Sequence, residues 1–222
     1  NIGAGKPGSW PGELAITKEE YYRWFKYIQD MNVDVIRVYT TLKPDFYDAL
    51  YLFNATSDRP LYLIQGVWVN TDIMVELNDA YASDERIKKE FIKDAKDLVD
   101  IIHGNATLPT RPGFASGVYK RNVSPYVVGW ILGTEWDPYF VLKTNENNPD
   151  KISYDGKYLY TSEASPFEIF LCEVADNVID YEVEKYKTIQ PVSYSNWPTL
   201  DMIHHPNEPF EVEDIAEFNI EH

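Results

Sequence analysis

The stretch SPYVVGWILGTEWDP, Ser124 to Pro138, decides the fold of this chain. Its first half, from Tyr126 to Leu132, is a short apolar run of aromatic and β-branched residues, a pattern that predicts a buried strand. The run ends at Gly133, and Glu135 follows two residues later. The stretch therefore predicts a strand that places a carboxylate just beyond its own carboxyl end.

Three further runs of the same kind predict three more strands, at Val33 to Tyr39, Leu61 to Val69 and Pro191 to Asn196. Helical patterns lie between them. Their signals are a capping box at Thr17 and Glu20, Pro44 in a first turn, Ser83 before a stripe of Ile87, Phe91, Leu98 and Ile102, and a second capping box at Ser165 and Glu168 around Pro166. Strands that alternate with helices predict an α/β protein with a parallel sheet, as either an open doubly wound sheet or a (β/α)8 barrel.

Two connections are long, from Gly104 to Ser124 and from Trp136 to Ala164. The second contains Asp155-Gly156, a dipeptide typical of a hairpin turn. Long connections in a compact domain are often functional, and this one leaves the carboxyl end of a predicted parallel strand. The loop after Glu135 is therefore a candidate for function.

Composition restricts the partners. The chain has 222 residues, 15% of them aromatic, and a formal net charge of -16. Such a charge repels nucleic acid and anionic membrane surfaces, so the expected ligands are neutral and rich in hydroxyl groups. No apolar run is long enough to span a membrane, and the chain lacks an initiating Met, so we expect a segment of a longer protein whose targeting signals lie outside it.

The glycines of GAGKPG, at Gly3, Gly5 and Gly8, have the spacing of a dinucleotide-binding loop. That loop needs a strand before it and a helix that opens inside it. Here only two residues precede the motif, Pro7 interrupts it, and the first helical signal waits until Thr17. We therefore expect a tight glycine- and proline-rich turn and no nucleotide cofactor.

The sequence offers no convincing metal site. His204 and His205 are adjacent and lack a partner motif, and the acidic and amide residues between Asn145 and Asp155 lack the spacing of a calcium loop. Cys172 is the single cysteine, so no intrachain disulfide can form. We expect neither metal nor cofactor.

Three N-x-S/T triplets begin at Asn54, Asn105 and Asn122. Such triplets occur by chance, so they do not establish glycosylation.

Glu135 is the strongest chemical candidate. A glutamate at the exit of a parallel barrel strand lies at the catalytic face of that fold, where an apolar or anionic setting lets it act as a general acid. The neighbouring Trp136 suits the apolar face of a sugar ring. The alternative interpretation is that Glu135 is a solvated loop acid without a catalytic role.

Three stretches resemble the catalytic barrel of clan A glycoside hydrolases, the group that holds families 2 and 5. NIGAGKPGSW resembles the loop after barrel strand 1, DMNVDVIRVYTT resembles strand 2, and VVGWILGTEWDP resembles strand 4 with its terminal acid/base glutamate. The resemblance covers roughly the first 140 residues. It implies that residues 1–222 form one domain, an incomplete (β/α)8 barrel that runs from the end of strand 1 to about strand 5 or 6.

The resemblance also implies roles. Glu135 matches the general acid/base of a retaining hydrolase, and Arg37 matches an arginine that orients the nucleophilic carboxylate. Thr134 departs from the family, which usually has asparagine there to bind the sugar 2-hydroxyl. The nucleophile is expected on strand 7, beyond this chain, so we expect the segment to be inactive alone.

The expected carbohydrate-binding residues lie at or near predicted strand ends. They are Arg37, Tyr39, Trp68, Thr134, Trp136, Tyr194 and Trp197. Asn70, Asn196 and Asp201 are weaker candidates for hydroxyl binding. The competing hypothesis is a barrel that binds carbohydrate or has a structural role without catalysis, and Thr134 favours it. For either function we favour an extracellular or cell-envelope location, and the oligomeric state stays open.

Overall fold

The computed structural model describes residues 2–195 and 197 of the chain. Its helices and strands follow in chain order. They are α1 (Lys18–Asp30), β1 (Val35–Val38), α2 (Pro44–Thr56), β2 (Tyr62–Val67), α3 (Thr71–Leu77), α4 (Arg86–Ile102), β3 (Ala106–Leu108), β4 (Gly117–Tyr119), β5 (Val127–Leu132), α5 (Pro138–Asn147), β6 (Ser153–Asp155), β7 (Tyr160–Ser162), α6 (Pro166–Tyr186) and β8 (Val192–Tyr194).

The fold is mixed α/β, as predicted. A four-stranded parallel sheet has the order β1-β2-β5-β8, and two antiparallel hairpins pair β3 with β4 and β6 with β7. Each strand of the main sheet lies inside one of the four predicted strands, so all four strand predictions are confirmed. In register, Val35 pairs with Tyr62 and Val38 with Gln65.

The chain divides into two compact units. Unit 1 comprises Asn1–Val67 and Lys96–Ile131, and unit 2 comprises Trp68–Ala95 and Leu132–His222. Each unit is described below within the residues that the structure places.

Unit 1 is built around aromatic contacts between its first two helices. The capping box predicted for α1 is present, because the Thr17 hydroxyl accepts from the backbone N–H of Glu20 and the Glu20 carboxylate accepts from that of Thr17. Tyr21 and Phe25 on α1 then pack edge-to-face against Phe46 of α2, with ring centroids 5.2 and 5.8 Å away. Capping and aromatic burial together fix this helix pair.

The glycine-rich start of unit 1 is a loop. No strand precedes Gly3 among the described residues, and no helix opens before a short 3-10 turn at Pro11–Glu13. The Lys6 ammonium pairs with the Glu20 carboxylate at 3.0 Å and ties this loop to α1. The Ser9 N–H donates to the Lys6 carbonyl at 3.2 Å, which closes a tight turn within the loop as the sequence predicted.

Both long connections contain secondary structure that the sequence did not predict. The connection from Gly104 to Ser124 holds the unpredicted β3–β4 hairpin. The connection from Trp136 to Ala164 holds the predicted hairpin turn but also the unpredicted helix α5. That helix begins at Pro138 because the Asp137 carboxylate accepts from the Phe140 N–H at 3.0 Å.

The predicted start of α4 is wrong by two residues. Ser83 does not cap this helix, which begins at Arg86 after Glu85 takes a left-handed φ of 52°. The Asp84 carboxylate, rather than the Ser83 hydroxyl, accepts from the Arg86 N–H at 3.0 Å. The predicted apolar stripe of α4 is nonetheless buried as expected.

Two features are absent from the residues that the structure describes. None of the helices placed in the structure is long and apolar enough to cross a membrane. Within the same residues, no group of three or more His, Cys, Asp or Glu side chains could hold a metal ion.

Candidate active site

The turn after β5 carries Glu135, and its geometry begins at Gly133. Gly133 has a φ of +93°, a conformation that residues with a β-carbon rarely adopt. A β-carbon added there would lie 2.2 Å from the Trp136 ring, so only glycine lets the indole pack this closely. Gly133 and Trp136 therefore interlock and define the path of the turn.

Trp136 belongs to the core of unit 2. It is fully buried within a cluster of aromatic rings, and its Nε1–H has no hydrogen-bond partner among the described residues. The other rings of the cluster are Phe91, Phe140, Phe167 and Phe170, with centroids 5.1 to 6.2 Å from the indole. A covered ring cannot stack on a sugar, so we drop Trp136 from the predicted binding residues.

Glu135 projects into solvent between anchored neighbours. Thr134 and Trp136 on either side are buried, and Asp137 caps α5. Glu135 itself is exposed and makes no hydrogen bond or ion pair with any residue that the structure describes. The turn thus holds its backbone firmly and leaves one carboxylate unused by the fold.

Thr134 is tied to the end of β8. The Ser195 hydroxyl donates to the Thr134 carbonyl at 3.1 Å, which brings the residues after β8 against the turn after β5. The neighbouring Tyr194 donates its own hydroxyl to the Leu171 carbonyl of α6 at 2.8 Å, and 36% of the residue's surface remains exposed. Within unit 2, the structure therefore joins the residue after Tyr194 to Thr134, whereas the Tyr194 hydroxyl itself bonds to α6.

The other two tryptophans predicted for binding in unit 2 are partly exposed. Trp68, just after β2, has 41% of its surface accessible, and Trp197 has 36%. Asn70 has a structural role, because its carboxamide caps α3 and donates to the Glu90 carboxylate at 3.1 Å. The weaker candidates Asn196 and Asp201 lie outside the described residues, and so does the pair His204-His205, which was not expected to bind metal.

Arg37 and Tyr39 lie in unit 1. Arg37 sits in β1, half-buried, and its Nε is enclosed without a hydrogen-bond partner among the described residues. Tyr39 follows β1 and is 37% exposed. An enclosed guanidinium nitrogen without an acceptor is uncommon, because burial of an unpaired polar group costs free energy.

A second carboxylate of unit 2, Asp176 on α6, has the opposite environment. It is buried and accepts hydrogen bonds from the backbone N–H groups of Lys157, Tyr158 and Leu159 at 2.7 to 3.0 Å and from the Tyr154 hydroxyl at 3.1 Å. Desolvation alone raises its pKa, but the backbone and tyrosine donors outweigh that effect and hold the pKa below its ordinary value. Asp176 anchors the β6–β7 hairpin.

Sequence patterns did not predict the roles of three residues that shape this region. Gly133 and Ser195 set the turn, and Asp176 anchors the hairpin. An Asp-Pro pair after the turn, Asp137-Pro138, was a readable signal for the start of α5. The contacts of Ser195 and Asp176 had no local signal, because each joins residues distant in the chain.

The chain matches no family model, no curated protein and no solved structure.

Proposed function

We propose that this chain supplies the general acid/base of a retaining glycoside hydrolase, with Glu135 as that residue. One observation carries the proposal: Glu135 is an exposed carboxylate with no partner in the described structure, on a turn whose neighbours are buried and capped. Catalysis requires a reactive group that is free to meet the substrate and held in place, because a misplaced group lowers the reaction rate.

The proposed chemistry uses Glu135 twice. Its carboxylic acid donates a proton to the leaving glycosidic oxygen, and the resulting carboxylate then takes a proton from the water that resolves the glycosyl-enzyme. The nucleophilic carboxylate that such a mechanism needs is not assigned to a residue of this chain.

The exposed aromatic rings support a carbohydrate as the substrate class. Trp68, Tyr194 and Trp197 each leave over a third of their surface accessible, as a ring must to cover the apolar face of a sugar. The charge of -16 disfavours an anionic substrate. Arg37 and Tyr39 enter the proposal through the family resemblance alone.

A second candidate is carbohydrate binding without catalysis. Thr134 favours it, because the residue is buried, its carbonyl is occupied by Ser195, and its side chain is shorter than the asparagine of the family.

The deciding experiment compares Glu135→Gln with Glu146→Gln in the full-length protein. Glu146 is a matched control, an exposed glutamate of the same unit that pairs with Lys143. With glycosides of poor leaving groups, we expect Glu135→Gln to lower kcat/KM about 10²- to 10⁴-fold, the usual contribution of general acid catalysis.

Glycosides with activated leaving groups need less protonation, so Glu135→Gln should slow their cleavage step less. Equal rates for the wild-type protein and Glu135→Gln on both substrate classes would exclude the acid/base role. Retained sugar binding without any turnover in the wild-type protein would favour the second candidate.

A further inference from the structure

We propose that Asn105 is an acceptor site for N-linked glycan, and that Asn54 and Asn122 are not. The three N-x-S/T triplets are equivalent as sequence patterns, but the structure places them in three different environments. This inference concerns unit 1 and does not depend on the role of Glu135.

Asn54 is incompatible with a glycan in the folded chain. The residue is only 6% exposed, on α2. Its Nδ2 donates to the Leu61 carbonyl at 2.8 Å, and its Oδ1 accepts from the Leu61 N–H at 2.8 Å. A sugar on that nitrogen would have to occupy the core, so modification here would prevent folding.

Asn122 is exposed, but the rest of its triplet is enclosed. The hydroxyl of Ser124 donates to the Asn122 Oδ1 at 2.7 Å, and the Ser124 N–H donates to the same oxygen at 3.0 Å. Ser124 is 8% exposed, and the buried Val123 donates its N–H to the Ile102 carbonyl at 2.7 Å. The Ser124 hydroxyl, which completes the N-x-S/T acceptor signal, is therefore not accessible to a glycan transferase in the folded chain.

Asn105 has the accessible arrangement. Asn105 and Thr107 are both exposed, while Ala106 and Leu108 of β3 turn toward the protein. The backbone is fixed, because the Asn105 N–H donates to the Asp100 carbonyl at 2.9 Å and Ala106 pairs with Tyr119 of β4. Both groups of the acceptor signal thus lie on the surface of a well-held hairpin, where a glycan can extend into solvent.

The proposed modification is a group transfer from a lipid-linked oligosaccharide diphosphate. The Nδ2 of Asn105 forms a bond to the anomeric carbon of the sugar and loses one proton, which passes to solvent water. The bond between that carbon and the diphosphate oxygen breaks, and the lipid diphosphate leaves with the electron pair. The donor and its transferase act on exported chains, so the proposal applies to the exported protein.

The test is to secrete the full-length protein from a eukaryotic cell line and measure the occupancy of each triplet. Enzymatic release of N-glycans in ¹⁸O-labelled water marks each occupied asparagine for mass spectrometry. We expect label at Asn105 and none at Asn54 or Asn122. An unmodified Asn105 in the secreted wild-type protein, or occupancy of Asn54 or Asn122 equal to that of Asn105, would overturn the proposal.

Variants separate the acceptor signal from folding. Asn105→Gln and Thr107→Ala should each lower the apparent mass on a gel by the mass of one glycan. Thr107→Ser and Asn122→Gln should leave the apparent mass unchanged. Because Thr107→Ser differs from Thr107→Ala mainly by the hydroxyl, unequal glycosylation of these two variants isolates the signal. Retention of the glycan in Thr107→Ala would contradict the assignment.

Discussion

Glu135 and Asp176 are two carboxylates of the same unit with opposite fates. Asp176 is buried and accepts hydrogen bonds from four donors, so both of its carboxylate oxygens are used to hold the fold together. Glu135 is exposed and has no partner among the described residues, although the turn that carries it is firmly anchored. A structural carboxylate and a candidate reactive carboxylate therefore differ in whether the surrounding groups donate hydrogen bonds to them.

The largest effect on stability should come from the turn beneath Glu135. Gly133→Ala forces a β-carbon into both a left-handed backbone and the Trp136 ring, so we expect a loss of about 2–5 kcal/mol in the free energy of unfolding. Urea denaturation measures it.

Gly113→Ala is the matched control for that substitution. Gly113 has a similar φ of +75°, but a β-carbon there meets nothing within 4 Å. It should cost only about 1–2 kcal/mol, the backbone contribution alone. Equal losses for the two variants would show that Trp136 does not restrict Gly133.

Removal of the structural carboxylate should come next. Asp176→Ala leaves three backbone N–H groups and the Tyr154 hydroxyl without their acceptor, and we expect a loss of about 2–4 kcal/mol. Asp180→Ala, one turn further along α6, removes only an exposed ion pair with Lys157 and should cost about 0–1 kcal/mol. Similar thermal unfolding of both variants would argue against Asp176 as the anchor.

The same carboxylate predicts a pH dependence. The folded-state pKa of Asp176 lies below the ordinary value of 3.8, so its stabilising contribution is complete above that value and is lost as the pH falls through the folded-state pKa. The difference in unfolding free energy between wild type and Asp176→Asn should therefore be largest near neutral pH and shrink below about pH 4. Denaturation curves across that range test it, and a constant difference would contradict it.

The smallest effect should be that of Glu135 itself on stability. Because no described residue uses its carboxylate, Glu135→Gln should change the free energy of unfolding by no more than about 0.5 kcal/mol. A marked loss of stability in this variant would mean that Glu135 serves the fold as Asp176 does, and the contrast between them would disappear.

Local chemistry made much of the fold predictable. The four strands of the main sheet follow from short apolar runs, and α1 and α6 follow from capping boxes that form as the sequence indicates. These signals involve residues within a few positions of each other, so they do not depend on distant parts of the chain. The α5 helix shows the limit, because its second half, KTNEN, is polar and suggested a loop, although Asp137-Pro138 marked the start of the helix.

The sequence by itself determined the alternation of strands and helices and the position of Glu135 just beyond β5. Only the tertiary structure decided that Trp136 is covered by aromatic rings, that Asp176 holds a distant hairpin, and that one of three N-x-S/T triplets has both its asparagine and its hydroxyl residue exposed. The physical reason is that burial and long-range hydrogen bonds depend on which segments meet in space, whereas strand patterns and helix caps depend on neighbours along the chain.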